Sequence, residues 1–110
     1  PVLWSRYDLR PISLQLKAWE DAGIPLAIFG KNHGQFQFLG RLTKPLTTVG
    51  QRNNQLSNFL RDYPEGHIIA IYRKVPVQAK PLAVYPMRQK FMVIWDAKTI
   101  AQNPGIGNRN

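Results

Sequence analysis

Lys31-Asn-His-Gly-Gln-Phe-Gln-Phe-Leu-Gly-Arg-Leu42 gathers cations, amides, an imidazole and two phenyl rings directly after the apolar run Pro25-Leu-Ala-Ile-Phe-Gly30. The apolar run reads as a buried strand. The polar residues that follow are then expected where a strand ends, the place at which open α/β sheets usually meet ligands. Lys31, His33, Gln35 and Arg41 are the candidate binding residues of this segment. Catalysis asks for more: two groups placed to exchange a proton, or a nucleophile beside its base. The segment holds no carboxylate, no cysteine and a single histidine. No catalytic residue is assigned.

The rest of the chain adds little chemistry. His33 and His67 are the only histidines, and neither has a second ligand-type residue four positions on, so no metal site is expected. The six acids are Asp8, Glu20, Asp21, Asp62, Glu65 and Asp96. All but one fall at proposed helix ends, where capping, the helix dipole or solvation accounts for them. No carboxylate pair of the kind that flanks a glycosidic bond is credibly placed. Gly30, Gly34 and Gly40 are spaced G-x3-G-x5-G rather than G-x-G-x-x-G, and no Gly-Lys-Ser/Thr follows, so a phosphate-cradling turn is unsupported. No cofactor is expected.

Charge is the strongest compositional signal. The formal net charge is +9, and it is uneven. Lys31, Arg41, Lys44, Arg52 and Arg61 lie between Asp21 and Asp62 with no acid among them. Arg73, Lys74, Lys80, Arg88 and Lys90 lie between Glu65 and Asp96, again without an acid. Such an excess favours anionic partners: nucleic acid, lipid headgroups or phosphorylated carriers. With 44% hydrophobic and 19% charged residues the chain reads as globular rather than disordered. No apolar run approaches the ~18 residues of a transmembrane candidate. Pro1-Val-Leu-Trp4 has neither a basic leader nor an apolar stretch after it, and the missing Met suggests a piece of something longer. The absence of cysteine removes disulfides and thiolate chemistry and leaves the compartment open.

The elements that must position these residues follow from periodicity. Asp8 and Pro11 mark a helix start, Ile12, Leu16 and Trp19 form one stripe, and Gly23 and Pro25 end it. Leu26–Phe29 and His67–Tyr72 are continuous apolar runs, as in strands covered on both faces. Residues 33–42 suggest a short helix, and residues 45–49 a short strand. Leu56, Phe59, Leu60 and Tyr63 stripe a second helix. Residues 82–85 and 90–95 suggest a hairpin, and Asp96 caps a final helix over residues 97–102. The alternation of strand and helix predicts a single three-layer α/β domain, Rossmann-like, with a mostly parallel sheet and an antiparallel strand or hairpin near the C-terminus. The domain is placed at residues 1–103, with 104–110 a flexible tail.

Two stretches carry a family resemblance: Arg6-Tyr-Asp-Leu-Arg-Pro11 and Ala27-Ile-Phe-Gly-Lys-Asn-His-Gly-Gln-Phe-Gln-Phe-Leu-Gly-Arg-Leu-Thr-Lys-Pro-Leu46. Together they resemble the soluble C-terminal domain of bacterial membrane glycosyltransferases of the protein mannosyltransferase/aminoarabinose transferase type. In that family an aromatic-x-G-R-x-x-x-P stretch is similar to Phe38-Leu-Gly-Arg-Leu-Thr-Lys-Pro45. The similarity spans roughly residues 5 to 100. It implies a multi-span enzyme that transfers a sugar from a polyprenyl-phosphate carrier, with this domain on the periplasmic side of the inner membrane. The family's catalytic carboxylates lie in a loop near its N-terminus, so none carries over to this chain. The implied function is that of a non-catalytic accessory domain. Its partner would be the transmembrane catalytic portion of the same polypeptide, with anionic lipid or polyprenyl phosphate nearby. Lys31, His33, Gln35 and Arg41 would face that portion or the acceptor. The alternative is a stand-alone basic module for nucleic acid or another polyanion, with Phe36 and Phe38, which otherwise read as core, stacking on bases beside Lys31 and Arg41.

Overall fold

The computed structural model describes residues 10–29, 47–50, 54–87, 89–103 and 106. Along the chain these form α1 (Arg10–Asp21), β1 (Leu26–Phe29), β2 (Thr47–Val49) and α2 (Gln55–Asp62). They continue with β3 (His67–Tyr72), β4 (Ala83–Met87), β5 (Lys90–Asp96) and α3 (Ala97–Gln102).

Each helix follows from its stripe and its ends. In α1, Ile12 and Leu16 are buried and Trp19 is half-buried, while Leu14 on the other side is exposed. The helix stops in a Schellman arrangement: Ile24 N–H donates to Trp19 O at 3.0 Å and Gly23 N–H to Glu20 O at 2.9 Å. Gly23 has φ +81°, a conformation that side chains resist. In α2, Leu56 and Phe59 face the core. In α3 the Asp96 carboxylate accepts from Lys98 N–H at 3.0 Å, satisfying a backbone donor of the first turn.

The five strands form one sheet in the order β2-β1-β3-β5-β4. Strand β1 pairs in parallel with β2 and β3. Strand β5 pairs antiparallel with both β3 and β4. This corrects the expected three-layer, Rossmann-like, mostly parallel domain. The molecule is a small mixed α/β domain, and its longest ladders are antiparallel: β3 registers with β5 from His67↔Asp96 to Tyr72↔Phe91. The cause is the insertion of β5 between β3 and β4. An apolar run such as Ile68-Ile-Ala-Ile71 is covered on both faces whichever direction its neighbour runs, so its composition carries no sign of pairing.

Alternation along the strands divides the core in two. Leu26, Ile28, Ile69, Met92 and Ile94 pack with Ile12 and Leu16 of α1 on one face. Ala27, Val49, Ile68, Ala70, Tyr72, Val93 and Trp95 pack on the other with Leu56 and Phe59 of α2 and Ile100 of α3. Ile106, beyond the expected domain limit at residue 103, is fully buried in this second cluster. The ladder of β4 and β5 ends at the pair Met87↔Lys90, and Gln89, just before β5, has φ 61°. Pro86 is tolerated because β4 is an edge strand.

Candidate functional site

Lys31, His33, Gln35 and Arg41 lie outside the described residues, as do Phe36, Phe38 and the helix expected over 33–42. The fold nevertheless shows where that segment starts. It leaves β1 at Phe29, which registers with Val49 of β2, and β1 lies between β2 and β3. The chain goes from β1 to β2 on one side, while β3 lies on the other. This reversal makes a switch point at the carboxyl ends of β1 and β3, where α/β sheets form ligand crevices.

Three further cations reach the same edge of the sheet. Arg73 and Lys74 follow directly on β3. Because β5 runs antiparallel, it begins at this edge, and Lys90 stands one residue from the pair Tyr72↔Phe91. Arg73 and Lys74 are exposed and Lys90 is half-buried.

The acids are at the opposite edge. Glu20 and Asp21 close α1 just before β1, Asp62 and Glu65 precede β3, and Asp96 ends β5 in register with His67. These are all the acids among the described residues. The ion pairs formed between described residues lie here too: Lys17 with Glu20 at 3.3 Å and Asp21 at 3.2 Å, and Arg61 with Asp62 at 3.0 Å. These pairs hold the Lys17 ammonium above its usual range, chiefly through the hydrogen bond to Asp21. The domain is therefore polarised along its strands, with an acidic amino edge carrying compensated cations and a basic carboxyl edge. A field of this shape attracts and orients anions at the basic end.

His67 belongs to the acidic edge. Its half-buried ring stands edge-on to Trp19, with centroids 4.6 Å apart. Its Nδ1 lies 2.9 Å from Gly66 O, and since a carbonyl oxygen only accepts, Nδ1 carries the proton and donates. The ring thus holds the β1–β3 end of α1 in place and is not gathered with the basic residues. A shallow cavity of about 330 Å³ opens between α2 and α3, with Gly50, Asn54, Ser57, Leu60 and Ile100 in its wall. Among the described residues no titratable side chain lines it. No cluster of three or more His, Cys, Asp or Glu among the described residues could hold a metal. Among them, too, no helix is long and apolar enough to cross a membrane.

Sequence reasoning placed the candidate site only in the segment after β1. It missed the share of Arg73, Lys74 and Lys90, although the acid-free run between Glu65 and Asp96 was the available signal. Fold and site together define a small mixed α/β domain with a basic carboxyl edge. No family model, curated protein or solved structure matches the chain significantly.

Proposed function

We propose that this chain is a non-catalytic domain that presents the basic carboxyl edge of its sheet to an anionic partner. In this reading it is the periplasmic accessory domain of a membrane glycosyltransferase that draws a sugar from a polyprenyl-phosphate carrier. The observation that supports it is the separation of charge along the sheet: Arg73, Lys74 and Lys90 at one edge, and every described acid at the other. Phosphate oxygens of a lipid headgroup or a polyprenyl carrier match such an edge, because guanidinium and ammonium groups bind them through charge-assisted hydrogen bonds. The parentage rests on the resemblance of residues 6–11 and 27–46 to that family, and the partner is then the transmembrane catalytic portion of the same polypeptide.

Two measurements test this. The first is the native reading frame upstream of Pro1, which should continue into about ten or more apolar spans of ~20 residues. A frame that starts within a few codons of Pro1 would overturn the parentage. The second is binding of the chain to phosphatidylglycerol vesicles, which should weaken with salt and in Arg73→Glu/Lys74→Glu. Salt-dependent binding to duplex DNA with no binding to vesicles would favour the stand-alone nucleic-acid module instead.

A further inference from the structure

The connector between β3 and β4, residues 73–82, reads Arg-Lys-Val-Pro-Val-Gln-Ala-Lys-Pro-Leu and contains no acid. It leaves the basic edge and crosses one face of the sheet, because Val75 and Ala79 pack against the cluster that holds Tyr72, Val93 and Trp95. Its far end is tied down where Leu82 N–H donates to Ile94 O at 2.8 Å. Val77 stands between the two inward anchors and is 95% exposed. Pro76 and Pro81 restrict the backbone on either side of it. Val77 is therefore held outward by a stapled loop.

Single exposed apolar residues need no explanation. Here the exposure continues: Leu82 is 47% exposed and Val84 42%. Leu82 immediately precedes the edge strand, and Val84 lies within it on one face of the sheet. Val84 pairs in register with Val93, which places that face as the one the connector crosses. Arg73 and Lys74 are exposed where the connector leaves β3, and Lys80 is exposed near its far end.

We propose that the connector is a membrane-docking loop, in which Val77, with Leu82 and Val84 behind it, enters the headgroup region of an anionic bilayer while Arg73, Lys74 and Lys80 neutralise lipid phosphates. The inference rests on the basic edge facing an anionic partner, and it names that partner as a lipid surface. Cations beside exposed aliphatic groups match an interface that is charged outside and apolar within. Nucleic acid would use the cations alone, since valine and leucine offer its bases neither stacking rings nor hydrogen bonds.

The test is flotation of the chain with phosphatidylglycerol/phosphatidylcholine vesicles, with phosphatidylcholine vesicles and duplex DNA as controls. The chain should bind the anionic vesicles and bind the neutral ones far less. Val77→Ser, at a site too exposed to affect folding, should lower the partition about tenfold with thermal unfolding unchanged. Each of Lys74→Gln and Lys80→Gln should lower it about fivefold at low salt. Undiminished vesicle binding by Val77→Ser would overturn the docking loop, and if charge substitutions still weakened that binding, the basic edge would stand. Binding to DNA alone, equal in the parent and in Val77→Ser, would overturn the lipid partner. No binding to any of the three would overturn the loop and the basic edge together.

Discussion

Trp95 donates a 2.8 Å hydrogen bond from its indole Nε1 to the Tyr72 hydroxyl, and the two rings stand at 89° to each other. Both side chains are buried, on the central strands β5 and β3. The same phenol donates its proton to Ile106 O at 3.3 Å. One oxygen thus satisfies the indole and ties the chain beyond α3 to the sheet.

Tyr72→Phe removes the acceptor and leaves the Trp95 N–H buried without a partner. An unsatisfied buried donor costs about 1–3 kcal/mol. Urea denaturation should show that loss. Trp95→Phe in the same background should then cost less than it does in the parent, because the bond has already gone.

Burial pushes the Tyr72 phenol up to about 12 from its ordinary 10.0, outweighing the bond from Trp95. The unfolded chain therefore loses this proton first as pH rises. The stability that Tyr72 confers is whole below about pH 10 and declines until about pH 12, where the folded form ionises as well. Denaturation midpoints across that window should fall more steeply in the parent than in Tyr72→Phe. Burial raises Tyr85 in the same direction, so the difference between the two proteins is the quantity to follow.

Gly66 sits where α2, β1, β3 and α3 converge: its O accepts from Ala97 N–H, and the next N–H, of His67, donates to Pro25 O. A Cβ there would meet two Phe59 ring atoms at 3.0 Å and Pro25 O at 3.1 Å. The ring is core and the oxygen is backbone, so neither yields easily. Gly66→Ala should destabilise by about 1–3 kcal/mol, read as a lower denaturation midpoint.

Lys90 and Lys98 distinguish the two ends of the sheet. Lys90 opens β5 at the basic edge, whereas Lys98 lies in the first turn of α3 beside Asp96. Lys90→Gln should weaken binding to anionic vesicles severalfold at low salt, and Lys98→Gln should change it little. Equal losses would mean that net charge, not its placement, governs association.

Much of the local structure was legible from apolar spacing. Leu26–Phe29 and His67–Tyr72 are strands with the bounds that their runs suggest, and Ile12, Leu16 and Trp19 do share the inner face of α1. Asp96 caps the last helix because its short carboxylate reaches a free N–H, a preference visible in the residue type. The antiparallel hairpin of β4 and β5 was legible too, but the direction in which β5 pairs with β3 was not. Strand β5 is apolar enough to lie beside any neighbour, and only the assembled sheet places Phe91 beside Tyr72. That placement decides the site, because an antiparallel β5 brings Lys90 to the edge where Arg73 and Lys74 already stand. Val77 was equally hidden: its type suggests core, and only the anchoring of Val75 and Ala79 turns it outward.

The position of β5 also governs when the sheet can be completed as the chain is made. Strands β3 and β4 are consecutive, yet they are not neighbours, because the strand between them comes from later in the chain. A nascent polypeptide that has emerged only through β4 holds an open slot bordered by two unpaired backbones. The hairpin of β4 and β5 can close locally, but its docking on β3 needs Phe91 to Asp96 to be free of the ribosome. Completion of the sheet therefore waits on β5, and a chain cut short before Lys90 would expose adhesive strand edges to its neighbours.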